Sequence, residues 1–201
     1  MHNPRSILTP LFVFSLIFVC SSMLHAQQVE PSYDVSLQLV IGSNETAEKT
    51  ELPADLSAVT RQLKTRFAFS NYRLANTILC RISNAGNFEY KSAGNIFGQQ
   101  SNSGSPTFLE STISGFKSMP TAKGQPGFEA QAFRFGARVP IITGNYKDDV
   151  GKVNSVINYE QIGVTAVRLG LPQNVPTLIG TLNLPGTTGT IFLIMTVRSA
   201  D

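Results

Sequence analysis

Residues Thr190–Val197 read TIFLIMTV, and the architecture predicted for the whole chain depends on this stretch. A strand with one solvent-exposed face alternates apolar and polar residues, whereas this run is apolar at nearly every position. A continuous apolar run of this length, bounded by Gly and polar residues, is typical of a strand that is buried on both faces. We therefore expect a central strand at about 190–198, with other elements packed against each of its sides.

A strand with clear alternation is predicted near the other end of the chain, at Tyr33–Ile41. Ser36 and Gln38 occupy its polar face. Strict alternation over this length indicates a half-buried strand. Its apolar residues fall on one face: Val35, Leu37, Leu39 and Ile41.

One helix is predicted, from Pro53 to about Phe67. Pro53 suits the first turn of a helix, where its missing N–H costs nothing. Apolar residues at i, i+3, i+7 and i+11 form a single stripe that needs a sheet to cover it. The stripe comprises Leu56, Val59, Leu63 and Phe67.

The next strand is predicted at Tyr72–Ile82, and a turn at Asn84–Asn87 is expected to bring Phe88–Lys91 back as its hairpin partner. Residues 33–91 would then form a β-α-β-β unit. The strand's apolar residues are placed on one face: Tyr72, Leu74, Ile78, Cys80 and Ile82. Further strands are expected at about 108–117, 128–142, 153–161, 164–171 and 176–183.

These elements predict an α+β fold that is predominantly β: an N-terminal β-α-β-β unit with one amphipathic helix, followed by an antiparallel β-sheet region. The expected division is a unit at 27–91, Gly/Ser/Pro-rich loops with one short strand at 92–127, and a β region at 128–201. Alternatively, 27–201 forms one compact domain.

Residues 1–26 have the three parts of a secretory signal. Arg5 supplies the positive charge, the apolar run LFVFSLIFVC spans Leu11–Cys20, and Ala26 ends the segment. The run is too short to span a bilayer, although an uncleaved anchor is the alternative. Cys20 could indicate a lipoprotein, but Val19 before it stands where a lipoprotein signal needs a small residue, so lipidation is not expected. We expect an exported protein of the periplasm or outer membrane, with the extracellular medium as an alternative.

Both histidines, His2 and His25, lie in this segment, so the mature chain would have none. That excludes Ser-His-Asp and Cys-His catalysis and His-ligated metals. No cofactor and no metal site is predicted. Cys80 is expected to be a small buried hydrophobe. The 16 basic and 13 acidic residues are mixed along the chain, and Arg61–Arg66 is interpreted as a solvated helix face, so no nucleic-acid partner is expected.

Three stretches near the C-terminus follow one another in an order and at a spacing that match the motifs of a known family. They are FRFGARVPIITG at Phe133–Gly144, VINYEQIGV at Val156–Val164, and VPTLIGT at Val175–Thr181 followed by the apolar strand. Over about residues 129–198 the sequence resembles the β-domain of bacterial secretins, the family of type II and type III secretion and type IV pili. Gln161 departs from the Asp that the family usually has. The motif residues are Gly136, Val139, Pro140, Thr143, Gly144, Tyr159, Gly163 and Val164.

The motif residues also have local expectations of their own. Gly136 would let a strand bend or bulge, Pro140 suits a strand edge, and Gly163 would be a kink between two strand segments. Thr143–Asn145 is expected to end a strand, with Asn145–Lys152 as a polar loop that closes a hairpin.

Three functions are open at this point. The resemblance implies a structural or assembly protein that associates with itself or with envelope-complex components; because the sequence stops at Asp201, a reduced relative is expected rather than a complete pore. Peripheral outer-membrane association is compatible with it. A monomeric exported binding domain would use the loops at 92–107 and 119–127. A carboxylate enzyme needs two carboxylates about 5–10 Å apart, and its candidates are Glu129, Asp148, Asp149 and Glu160.

Overall fold

The computed structural model describes residues 30–44, 52–97, 105–185 and 189–200, and Pro31–Asp201 forms one compact unit. The predicted signal segment lies outside the described residues. The fold is predominantly β with one short helix, as the sequence predicts. The elements are β1 Ser32–Ser43, a 3-10 turn Ala54–Leu56, α1 Ser57–Arg66, β2 Asn71–Ser83, β3 Phe88–Gly94, β4 Thr107–Ser118, β5 Gly127–Lys147, β6 Val153–Pro172, β7 Thr177–Asn183 and β8 Thr190–Ser199.

The strands form two antiparallel four-stranded sheets. Sheet 1 has the order β2-β1-β8-β7, and sheet 2 has the order β3-β4-β5-β6. Their inner faces share one apolar core, to which sheet 1 contributes residues such as Leu39 and Leu193 and sheet 2 contributes Phe116 and Phe133. β1 and β8, the first and last strands of the described residues, pair directly along most of their length. Segments that are far apart in sequence therefore build the same sheet.

Strand β8 is buried on both faces, which confirms the prediction made from its apolar run. Ile191, Leu193, Met195 and Val197 belong to the core between the sheets. Phe192 and Ile194 point the other way, into a second cluster under the helix.

Helix α1 and the 3-10 turn before it cover the outer face of sheet 1, as the apolar stripe predicts. Leu56, Val59 and Leu63 are buried there against Val40 and Phe192. The helix ends at Arg66, and the ring of the next residue, Phe67, lies 4.8 Å from the Phe192 ring in an edge-to-face contact. Sheet 1 thus has helix on one side and sheet 2 on the other.

The predicted hairpin between β2 and β3 is wrong, because β3 belongs to sheet 2 and pairs with β4. The Asn84–Asn87 turn is held by β4 instead. The Asn84 and Asn87 side-chain oxygens accept hydrogen bonds from the backbone N–H groups of Ser118 and Gly115, at 3.0 and 2.9 Å. The turn therefore carries the chain from one sheet to the other.

The prediction that five apolar residues of β2 share one face is also wrong. The register between β1 and β2 shifts at Leu39/Val40, and Ala75 is the extra residue on β2. This bulge reverses the alternation. Tyr72 and Leu74 consequently pack under the helix, while Ile78 and Ile82 lie in the core between the sheets.

Strands β5 and β6 are longer than predicted. β5 continues through Thr143–Asn145 to Lys147, and β6 runs from Val153 to Pro172 without a break at Gly163. The predicted strand end and the predicted kink are therefore both wrong. Gly144 and Asn145 pair with Val156 and Ser155, and Gly163 pairs with Gly136, which keeps both strands extended at these positions.

Three strands of sheet 2 change their inward face at one level. Gly115 on β4 and Arg168 on β6 both have positive φ, 59° and 55°, and Gln131 of β5 lies between them. On β5 the buried residues are Phe133 and Phe135 on one side of this level, and Phe128 and Ala130 on the other. These aligned irregularities leave the register unchanged, and they keep apolar residues inside on both sides of this level.

We predict that Gly115→Val destabilises the protein by about 2–4 kcal/mol, because a Cβ costs energy at positive φ and has no room here. A Cβ at this position would lie 2.6 Å from Oε1 and 2.7 Å from Cβ of Gln131. The measurement is the free energy of unfolding by denaturant titration. The control is Gly124→Val, whose φ is also positive but which has nothing within 4 Å. Equal losses in the two variants would contradict the close packing of Gly115 against Gln131.

Candidate functional site

The feature that stands apart from the sandwich is the outer part of the β5–β6 hairpin. Strand β4 pairs with β5 only as far as Arg138, through its partner Phe108. Beyond that point β5 and β6 pair with each other, and no third strand of the described residues joins them. We call this two-stranded segment, Pro140–Tyr146 paired with Val153–Tyr159, the hairpin arm.

All eight residues of the secretin-like motif lie along this one hairpin. Gly136 pairs with Gly163, at the level where β4 is still present. A Cβ at Gly163 would lie 2.8 Å from the Phe135 carbonyl oxygen, so glycine is required there by the close approach of β5. Gly136 has more room, with no neighbour closer than 3.9 Å. Val164 pairs with Phe135 and packs at the rim of the core.

The base of the arm is an aromatic and cationic cluster. Pro140 is buried and pairs with Tyr159. The Tyr159 ring lies 5.6 Å from the Phe108 ring, and the Arg138 guanidinium carbon lies 4.8 Å above the Phe108 ring centre. A guanidinium at that distance is attracted to the ring face. Val139 is fully buried, so the arm leaves the sandwich from a fixed base.

Pro140 lies where β5 has a neighbour on one side only, which is the edge environment that the sequence predicts for it. The predicted bulge at Gly136 lies elsewhere: the register shifts between Ile142 and Gly144, which makes Thr143 the extra residue. Its hydroxyl accepts a hydrogen bond from Asn158 Nδ2 at 3.2 Å.

The tip of the arm is a tight turn organised by Asp148. Its Oδ1 accepts hydrogen bonds from the backbone N–H groups of Val150 and Lys152, at 3.1 and 2.8 Å, and its Oδ2 accepts one from Asn154 Nδ2 at 3.2 Å. Gly151 supplies the positive φ that the turn needs. Asp148 therefore has a structural role in closing the hairpin.

The arm carries no charged residue on either strand. The sequences are PIITGNY for Pro140–Tyr146 and VNSVINY for Val153–Tyr159. Natural edge strands are commonly protected by charges, especially Lys. The edges of β2 and β3 follow that practice, with the ion pairs Arg81–Asp34 and Lys91–Glu89. The arm has open edges without this protection.

Exposed apolar side chains concentrate on the arm and its tip. Val150 at the tip is 88% exposed, which is more than any other large apolar residue in the described part of the chain. Scattered exposed apolar residues are ordinary, but their concentration on both faces of one two-stranded element favours an interaction surface. The others are Ile142, Tyr146, Val153, Val156 and Tyr159.

The four candidate carboxylates are spread along the hairpin. Glu129 and Glu160 pair with Gly170 and Val139, so ten residues of β6 separate their levels, which corresponds to roughly 30 Å along a strand. Glu129 forms an ion pair with Lys117, whose Nζ lies 3.2 Å from Glu129 Oε1, and Asp148 closes the tip turn. The separation of Glu129 from Glu160 exceeds what a carboxylate pair needs to act on one bond.

Metal and membrane-spanning features are absent from the described ranges. No group of three or more His, Cys, Asp or Glu side chains comes together there to hold a metal ion. No helix within residues 30–44, 52–97, 105–185 and 189–200 has the length and apolarity needed to cross a bilayer.

The two loops expected to carry binding, at 92–107 and 119–127, differ in how much of each the structure describes. Residues 92–94 belong to β3, and part of the first loop lies outside the described residues. The second is a compact connection between β4 and β5, in which the Thr121 N–H donates to the Gln125 carbonyl at 2.8 Å.

No family model matches the sequence, and no curated protein matches it. Among solved structures, the chain is similar to the Salmonella SPI-1 type III secretion injectisome secretin InvG. For the open-gate structure of residues 176 to the end, the TM-score is 0.32 and the identity 11%, covering 96% of this chain and 66% of that one. For a near-atomic cryo-EM structure the values are 0.30, 10%, 96% and 70%. These scores are too low to establish a shared fold.

Two features of functional interest are missed by sequence reasoning. The first is the hairpin arm, whose lack of charge is visible in the sequences PIITGNY and VNSVINY. That these segments have open edges depends on where β4 begins, at Thr107, which the sequence does not show. Gln38 and Thr196 come together on the outer face of sheet 1, although they are far apart in sequence. Their polar character in buried strands was the available signal.

We predict that Cys80 reacts slowly in the native protein. Burial, together with the nearby Asp34 carboxylate, raises the pKa of the Cys80 thiol to about 11 from 9.0. Since the thiolate is the reactive form, alkylation by iodoacetamide at pH 8 should be about a hundredfold slower than in denaturant. Mass spectrometry of the Cys80 peptide measures this rate. A native rate close to the unfolded one would show that the thiol is accessible and ionised.

Proposed function

We propose that this chain is an exported, non-catalytic protein of the cell envelope that self-associates through the hairpin arm. The observation that carries the proposal is the arm itself: a projecting pair of strands with two open edges, exposed apolar side chains and no charge. The sequence supports export through its N-terminal segment. The resemblance of residues 129–198 to secretin β-domains is consistent with an assembly role, and the motif residues fall on the same hairpin.

The geometry of the arm favours an assembly larger than a dimer. One open edge belongs to β5 and the other to β6, and the two edges have different sequences. Pairing the β5 edge of one copy with the β6 edge of the next is a heterologous contact, which propagates and closes into a ring when the rotation allows. Backbone hydrogen bonds would supply the pairing, and the exposed apolar residues would be covered.

The same geometry supports a non-catalytic role. Glu129 is engaged by Lys117 and Asp148 by the tip turn, and Glu160 lies far from Glu129 along the strand. In the described ranges, no pair of candidate carboxylates on different strands faces a shared site at the level of the arm. Burial raises the pKa of the Cys80 thiol, which disfavours the reactive thiolate.

We predict that Val156→Lys converts an oligomer into a monomer. A charge on the arm blocks edge pairing, because the ammonium would be buried in the contact. Size-exclusion chromatography with light scattering, with and without mild detergent, gives the mass. The matched control is Val167→Lys: Val167 is 72% exposed on the inner part of the same strand, so this variant should keep the oligomer.

Two results would overturn the proposal. One is a wild-type protein with the mass of a single chain at every concentration. The other is an oligomer whose mass is unchanged by Val156→Lys, which would place the contact elsewhere. Circular dichroism of both variants establishes that the fold is intact.

A further inference from the structure

A groove of about 540 Å³ lies on the outer face of sheet 1, on the part that the helix leaves uncovered. The helix covers that face at Val40, Phe192 and Ile194. Towards the other end of the strands the face becomes polar. The groove is lined there by Asp34, Gln38, Asp55, Leu79, Thr196 and Arg198.

Two buried side chains in this groove have unpartnered polar atoms. Gln38 is 6% exposed and Thr196 is 3% exposed. Gln38 Oε1 and Thr196 Oγ1 have no hydrogen-bond partner in the described part of the chain. Burying a polar group without a partner destabilises the fold. Their presence at buried positions of β1 and β8 therefore points to a role outside folding.

The two side chains are neighbours on one face. Thr196 pairs with Ser36 across β1 and β8, and Gln38 is two residues further along β1 on the same side. Diagonal neighbours of this kind lie roughly 7–8 Å apart. A single bound group can therefore reach both.

The charges around the groove are already compensated. Asp34 accepts two hydrogen bonds from Arg81, at 2.7 and 3.0 Å, and this interaction lowers the pKa of the Asp34 carboxyl. Asp55 lies 3.8 Å from Arg198. Two carboxylates and two guanidinium groups leave no net charge, which favours a neutral ligand over an anion or a cation.

We propose that this groove binds an extended peptide segment that carries an apolar side chain. A residue in extended conformation presents its N–H and its C=O on the same side. The N–H would donate to Gln38 Oε1, and the C=O would accept from the Thr196 hydroxyl. Leu79, which is 73% exposed at the rim, would contact the apolar side chain. This site is independent of the hairpin arm, which lies on the other sheet.

The test is saturation-transfer difference NMR with the blocked peptide acetyl-Ala-Leu-Ala-amide, on the full chain. We expect transfer to the leucine methyl groups at millimolar peptide, and loss of transfer when the leucine amide is N-methylated. Gln38→Leu and Thr196→Val should each weaken the apparent affinity at least about tenfold. The matched controls are Gln161→Leu and Thr181→Val, which replace exposed residues outside the groove and should bind as wild type.

Thermal unfolding separates binding from a structural role. Because each groove variant removes an unpartnered buried polar atom, it should unfold at the same or a higher temperature than wild type. A lower unfolding temperature for both variants would show that these atoms are satisfied within the fold, and would overturn the proposal. The proposal would also be overturned if the wild type showed no transfer, or if the groove variants showed the same transfer as the wild type. Maltose serves as a neutral ligand of another class, and a response to maltose but not to the peptide would likewise overturn it.

Discussion

The burial of β8 on both faces is the constraint on which the rest of the structure depends. A strand that is apolar on two sides must be covered twice, and sheet 2 and helix α1 provide the two covers. Because β8 pairs with β1, the two ends of the compact unit are held in one sheet. The helix is too short to be stable alone, so its position follows from the apolar cluster around Phe192.

Sheet 2 differs from sheet 1 because two of its strands, β5 and β6, extend past the core that they help to form. Within the sandwich, the aligned irregularities at Gly115 and Arg168 keep apolar residues inward on both sides of their level. Beyond the buried Val139 and Pro140, the described part of the hairpin is held by strand pairing and by the turn that Asp148 closes, with the cluster of Phe108 and Tyr159 at its base. The rigid sandwich therefore presents the hairpin arm as a projecting element with open edges.

Sequence periodicity predicted the elements whose burial is regular. The continuous run of β8, the alternation of β1 and the stripe of α1 all depend on local patterns, and the structure confirms them. The failures arise where one residue or a distant partner decides. Ala75 and Thr143 each shift an alternation by a single residue, and the sheet to which β3 belongs depends on its pairing with β4. The motif residues lie on the paired strands β5 and β6, whereas Gln38 and Thr196 are neighbours only through the β1–β8 register.

The most direct test of self-association through the hairpin arm is hydrogen-exchange mass spectrometry at low and high protein concentration. Amides that pair between copies are protected only when the copies associate. The account predicts that Pro140–Tyr146 and Val153–Tyr159 gain protection as the concentration rises, while β8 is protected throughout. Exchange of the arm at the same rate at both concentrations, in a sample that light scattering shows to be oligomeric at the higher one, would contradict it.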